Sequence, residues 1–319
     1  MTHLEPHDRR AHGHDHGHHH THDLGHTHTP ATFGSAFAVG TALNVLLVIV
    51  QIAYGIVAHS TALLADAAHN FGDVLGLLLS WGAFALARMY PTERYTYGFR
   101  STSILAALAN AIILLVATGA IAWEAIQRLL EPHPVSGLTV IVVATFGIAI
   151  NGLTAWMLMA GRHGDLNIRA AYLHMLADAS ISAGVAIAGV VIFLTGLDWI
   201  DAAASLAISA IIVWGTWGLL RGSIDMSLQA VPANIQPAQV RKYFESLPDV
   251  SDVHDLHIWP ISTTETALTV HLIVTQRHPG EEFFARVDAE LLHRFGIHHP
   301  TIQIELGDQN CKLAPPHVV

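Results

Sequence analysis

The sequence predicts a membrane protein in two parts: an all-α six-helix transmembrane domain, followed by a small cytoplasmic α+β domain ordered helix, strand, strand, helix, strand. Three observations carry that reading. The chain has 319 residues, 52% of them hydrophobic and 13% charged, where soluble proteins carry about 25% charged. Between about 33 and 222 the apolar residues gather into runs long enough to cross a hydrocarbon core, which takes roughly 20 residues apiece. Beyond Arg221 the composition turns soluble and alternates.

The six runs fall at about 33 to 57, 61 to 88, 102 to 126, 136 to 160, 169 to 195 and 200 to 220. Polar or proline-bearing joints separate them, such as Tyr90-Pro91-Thr92-Glu93-Arg94 and Pro132-His133-Pro134. An even number of crossings puts both termini on one side. Placing that side in the cytoplasm leaves Arg9, Arg10, Arg88, Arg94, Arg100, Arg162, Arg169 and Arg221 inside and Arg128 outside, as the positive-inside rule asks. The expected domains are therefore a disordered His-rich cytoplasmic tail at 1 to 31, a transmembrane domain at 32 to 222, a cytoplasmic domain at 223 to 306 and a short tail at 307 to 319.

The tail holds eleven of the 24 histidines, between His3 and His28, interleaved with Gly and Asp. It lacks the apolar side chains of a core and reads as a weak, multi-site metal collector. Its lack of an apolar segment also argues against a secretory signal.

Polar residues inside the spans locate the chemistry. An ionised side chain at the centre of a bilayer costs about 2.5 to 3.5 kcal/mol on insertion scales and therefore marks a cavity, a partner or a substrate. The second span holds Asp66, His69 and Asp73 within Ala65-Asp66-Ala67-Ala68-His69-Asn70-Phe71-Gly72-Asp73. His69 and Asp73 stand one helical turn apart on one face. The same His-x-x-x-Asp spacing recurs in the fifth span as His174 and Asp178. Two such helices packed together supply two nitrogens and two oxygens, a set that suits a tetrahedral divalent transition ion, most naturally zinc.

Other polar residues are open to more than one use. Asn44 and Gln51 in the first span could line a pathway or bond a neighbouring helix, Glu124 suits a solvated helix end, and Asp201 could cap a helix or meet the outer water. Gly184, Ala188, Gly189, Ala203 and Ala207 allow close helix sliding.

In the C-terminal part, Val240, Tyr243, Phe244 and Leu247 form a helical stripe within 237 to 247. Val250 to Trp259 reads as a strand, and Ala267 to Val274 alternates Leu268, Val270, Leu272 and Val274 against Thr269, His271 and Ile273. Glu281 to Phe295 is an amphipathic helix, and 301 to 306 a last strand, giving a sheet with helices on one face.

Several functions are excluded by composition. There is no basic stripe for nucleic acid. One cysteine, Cys311, permits neither an intramolecular disulfide nor a thiolate cluster. No His-Glu-x-x-His occurs, so an intramembrane metalloprotease is disfavoured, and the chain reads as no enzyme and as needing no prosthetic group. A membrane metal sensor or buffer, with the His tail and the soluble domain as working parts, is the alternative to a transporter.

Six spans, the paired His-x-x-x-Asp motifs, the His-rich tail, Leu64-Ala65-Asp66-Ala67-Ala68-His69, Val253-His254-Asp255-Leu256-His257-Ile258-Trp259 and Thr301-Ile302-Gln303-Ile304-Glu305 together resemble the cation diffusion facilitator family, in its bacterial zinc, cobalt and cadmium efflux branch. The resemblance implies a homodimer in the cell's inner membrane that exports divalent metal in exchange for protons by alternating access. It assigns the transport site to His69, Asp73, His174 and Asp178, and a cytoplasmic metal site near the dimer interface to His254 and His271. Gln303 and Glu305 stand where fuller sites carry a His and an acid, so a weaker or altered site is expected, with His257 and Glu281 as possible helpers. The loop 95 to 100 carries no histidine for a further site, and Gln51 and Ser103 replace acids found in relatives.

Overall fold

The computed structural model describes residues 35–159, 166–275 and 278–307; the His-rich stretch 1–31, Arg162, Cys311 and the C-terminal tail beyond Gly307 lie outside them. Among the described residues six helices are long and apolar enough to cross a membrane. They are α1 (Ser35–Val57), α2 (Thr61–Ala87), α3 (Thr102–Leu130), α4 (Gly137–Leu158), α5 (Leu166–Thr195) and α6 (Trp199–Ser227). Hydropathy located each of them but cut α3 and α6 short. Both continue to Leu130 and Ser227 through Gln127 and Arg128, and through Arg221, Ser223 and Asp225, polar residues that a helix end leaving a bilayer tolerates.

The helices alternate in direction, so the starts of α1, α3 and α5 share one end of the bundle with the ends of α2, α4 and α6. The C-terminal domain follows α6 at that end, called the domain side below. Contact there is direct. Arg100 pairs with Glu265 at 2.5 Å, Ser101 Oγ donates to the Ile261 carbonyl at 3.0 Å, and the Thr263 amide donates to Ser103 Oγ at 3.1 Å.

At the far end, Asp201 of α6 caps α2. Its carboxylate accepts from Ser60 Oγ at 2.5 Å, the Thr61 amide at 2.6 Å, Thr61 Oγ1 at 2.9 Å and the Ala62 amide at 3.3 Å. Unpaired amides of a first turn attract an anion, and the residue is 1% exposed. Of the two uses expected for Asp201, the cap is the one found and contact with outer water is not.

Small residues set the helix spacing unevenly. A Cβ on Gly189 would lie 2.9 Å from Val140 Cγ1, and one on Gly137 would lie 2.8 Å from the Phe193 amide nitrogen, so α4 and α5 touch closely. A Cβ on Gly184, expected to share that role, would meet nothing within 4 Å.

The C-terminal part contains α7 (Pro237–Glu245), β1 (Val250–Pro260), β2 (Thr266–Val274), α8 (Glu281–Phe295) and β3 (His299–Leu306). The sheet order is β1-β2-β3, with β1 and β2 antiparallel and β2 and β3 parallel. Leu268, Val270, Leu272 and Val274 face the core with Phe244 of α7 and Val287 and Leu291 of α8. Burying each large side chain there stabilises the domain by about 1.5 to 3 kcal/mol. The opposite sheet face, with His271 at its centre, is left for other work.

Candidate metal sites

The two His-x-x-x-Asp motifs meet. Because α2 runs toward the domain side and α5 away from it, the motifs pair crosswise and form two rungs. His174 Nε2 lies 3.3 Å from Asp73 Oδ2 on the rung nearer the domain, and His69 Nε2 lies 3.1 Å from Asp178 Oδ1 on the next. His174 Nε2 is also 3.8 Å from Asp178 Oδ2, which ties the rungs together, and the two imidazoles stand edge to face with centroids 6.2 Å apart. A tetrahedral zinc with ligands at about 2.0 to 2.2 Å holds them roughly 3.4 Å from one another. These three spacings bracket that value, and one ligand atom from each of His69, Asp73 and Asp178 lies within 4.8 Å of the others, with His174 joining through Asp73 and Asp178.

Access comes from one side. Asp73 and His174 line a cavity of about 320 Å³ together with Asn44, Gly76, Ser80 and Asn110. Gly40 near the start of α1, Leu158 at the end of α4 and Ala171 near the start of α5 complete it, so it extends toward the domain side. Of the two uses open to Asn44 and Gln51, Asn44 lines this cavity and Gln51 bonds a neighbouring helix. Further along, past the buried polar side chains around Asp66, the residues Ala62, Leu63, Val140 and Val185 are buried in one apolar cluster.

Asp66, which the sequence placed in the motif without a role, points away from the cavity. It is fully buried, and its Oδ2 accepts from Gln51 Nε2 at 2.6 Å and Ser182 Oγ at 2.9 Å. The neutral Gln51 thus serves as a donor to the acid next to it.

The second cluster lies on the open face of the sheet. His254 and His271 are cross-strand partners with ring centroids 5.4 Å apart. Glu305 of β3 reaches both, at 3.4 Å from His254 Nε2 and 3.1 Å from His271 Nδ1. One ligand atom from each of these three residues lies within 4.8 Å of the others.

Asp255 adds a carboxylate 3.4 Å from His271 Nε2 and holds His257 Nε2 at 2.8 Å. Successive residues of a flat strand face opposite ways, so His254 and Asp255 should not both meet His271. The register slips by one between His254 and His257, and Asp255 takes a left-handed backbone at φ 50°. That bulge turns the extra residue toward the cluster. Sequence reasoning missed Asp255 because alternation assigns it to the other face. His257 takes part through Asp255, whereas Glu281 opens α8 and enters no ion pair of this cluster.

Comparison with known proteins agrees with this architecture. A family model described as the cation efflux transmembrane domain matches residues 37–226, and one described as the cation efflux protein cytoplasmic domain matches residues 232–306. The cation efflux system protein CzcD of Alcaligenes sp. (strain CT14) is 33% identical over 285 residues, covering 89% of this chain and 90% of the relative. The zinc transporter ZitB of Escherichia coli (strain K12) is 34% identical over 271 residues, 84% of this chain and 86% of that one. A Bacillus subtilis (strain 168) protein named as a cadmium, cobalt and zinc/H(+)-K(+) antiporter is 30% identical over 292 residues, 90% of this chain and 94% of that one.

Proposed function

The chain belongs to the cation efflux, or cation diffusion facilitator, family, and on that premise we propose that it exports zinc from the cytoplasm in exchange for protons, through a site made by His69, Asp73, His174 and Asp178. Membership makes it a multi-pass membrane transporter of the metal efflux class rather than an enzyme. The observation that supports the finer reading is the crosswise pairing of two imidazoles and two carboxylates at the head of a cavity that extends to the domain side. With the termini and the C-terminal domain in the cytoplasm, as the arginine asymmetry asks, that cavity is the loading route. Zinc fits the donor set, and two relatives are named for zinc transport.

Exchange follows from the ligands. Zinc binds neutral imidazole and ionised carboxylate, so loading displaces protons and protonation releases metal. No thiolate enters the set to hold the ion against release. Alternating access then moves α1, α2, α4 and α5 so that the cavity closes on the domain side and the apolar cluster at Leu63 and Val185 parts.

The transmembrane domain at 32 to 222, the cytoplasmic domain at 223 to 306 and homodimerisation through the latter belong to the same reading. So does a regulatory zinc at His254, His271 and Glu305, with the His-rich tail collecting metal. Proteoliposomes with an internal zinc dye and an imposed proton gradient test it. Wild type should take up zinc and release protons, and His174→Ala should do neither. Equal uptake by the variant would refute the site, and uptake without proton movement would refute the exchange.

A further inference from the structure

The ladder of side chains between α2 and α5 does not stop at the two metal rungs. Counting outward, Asp73 faces His174, His69 faces Asp178, and one turn further, about 5.4 Å, Asp66 faces Ser182 at 2.9 Å. Gln51 of α1 and Asn70 of α2 close this third level. Gln51 Nε2 donates to Asp66 Oδ2 at 2.6 Å, and Asn70 Nδ2 donates to Gln51 Oε1 at 3.0 Å. All four side chains are fully buried, and Asn70 Oδ1 has no hydrogen-bond partner among the described residues. Immediately beyond come Ala62, Leu63 and Val185 of the apolar cluster.

Helix tying alone does not account for this arrangement. Neutral Gln51, Asn70 and Ser182 could link α1, α2 and α5 by themselves, yet an acid sits at their centre with no Lys, Arg or His among its hydrogen-bond partners. Asn70, the third of these neighbours, leaves its Oδ1 unused. The level therefore holds a carboxylate, a hydroxyl and two amides whose oxygens become available when the amides turn over, all hard donors and no imidazole.

We propose that Asp66, with Gln51, Asn70 and Ser182, is a second, oxygen-only station for the ion on its way out, occupied after it leaves His69 and Asp178. This rests on the transport-site reading above. Rotation of the Gln51 and Asn70 amides would turn both oxygens toward the ion, exchanging the bonds from Gln51 Nε2 to Asp66 and from Asn70 Nδ2 to Gln51 for metal contacts. A transition ion that trades nitrogen for oxygen ligands is held less tightly, which is what a release step requires. The station shapes turnover and leaves loading from the cavity untouched.

The test separates binding from turnover in full-length protein carrying His254→Ala and His271→Ala, so that zinc at the sheet does not contribute, and zinc held by the tail is subtracted with the same protein carrying His69→Ala and Asp178→Ala as the blank. Zinc affinity is measured by competition with a chromophoric chelator, and uptake in proteoliposomes. Asp66→Asn should bind zinc within about threefold of its parent and transport at least about tenfold more slowly, with Asp66→Glu recovering part of the rate. Uptake within about twofold of the parent, or loss of binding along with uptake at an unchanged melting temperature, would overturn the station. If Asp66→Asn does not yield folded protein, the split is read on Ser182→Ala, expected to slow uptake about threefold with binding kept; unchanged uptake then overturns it. His69→Ala is the control for the underlying site. Should that variant keep both binding and uptake, the transport site fails and the station with it, whereas a control that loses both beside a fully active Asp66→Asn refutes the station alone.

Discussion

The membrane rungs and the sheet cluster use nearly the same donors, two histidines with one or two carboxylates, on opposite kinds of scaffold. In the membrane the ligands come as one His-x-x-x-Asp turn from each of two separate helices, and α2 and α5 are bridged there by side chains with no backbone hydrogen bond between them. Two helices can part, and the site can change shape. On the sheet, His254 and His271 are directly opposed on hydrogen-bonded strands and Glu305 stands on the parallel neighbour. That frame cannot open without breaking the ladder. Under the proposed function, the difference teaches that donor set alone would not distinguish a cargo site from a resident one; the freedom of the backbone beneath it would.

The largest effect should come from removing a membrane ligand. His69→Ala or Asp178→Ala is expected to lower zinc uptake by about 100-fold or more, because the remaining partner is left uncompensated inside the span. A loss of only a few-fold in proteoliposomes would break the comparison, since the site would then not be on the route. Next comes His271→Ala, which should weaken zinc binding at the sheet about 10- to 100-fold while uptake falls only several-fold. Abolished uptake at unchanged melting temperature would place the sheet cluster on the route as well.

Asp255 sharpens the contrast, because its place in the cluster depends on the bulge. Its φ of 50° is one that glycine adopts without strain. Asp255→Gly should therefore weaken zinc binding at the sheet about tenfold while leaving stability unchanged or raising it by up to about 1 kcal/mol. A melting temperature well below wild type would show that the carboxylate holds the bulge together even without metal.

These residues also mark how far the sequence could be read. His69, Asp73, His174 and Asp178 were legible because ionisable groups in apolar runs need a physical reason, and a four-residue spacing fixes a helix face in any fold. The face of β2 was legible for the same reason at period two. Asp255 was not, since a single extra residue reverses the parity that assigns it. Nor were the partners of Asp66 and Asp201, because Ser182 lies 116 positions from Asp66 and Ser60 lies 141 from Asp201, and no local pattern links such pairs. The ends of α3 and α6 escaped because hydropathy reports where lipid stops and not where the helix does.

The smallest effect is expected where the two scaffolds join. Arg100 and Glu265 pair at 2.5 Å with side chains 47% and 32% exposed, and exposed pairs of this kind contribute about 0 to 1 kcal/mol. The contact also has neutral company: the Ser101 and Ser103 hydrogen bonds to the turn between β1 and β2, and Tyr97 packed edge-on against His299 with centroids 5.6 Å apart. Arg100→Ala should accordingly shift uptake by less than about twofold and stability by under about 1 kcal/mol, with the shift shrinking further as salt is raised. A tenfold fall in uptake with zinc affinity intact at both clusters would mean that the rigid sheet drives the mobile rungs through this joint, and the two could no longer be treated as separate devices.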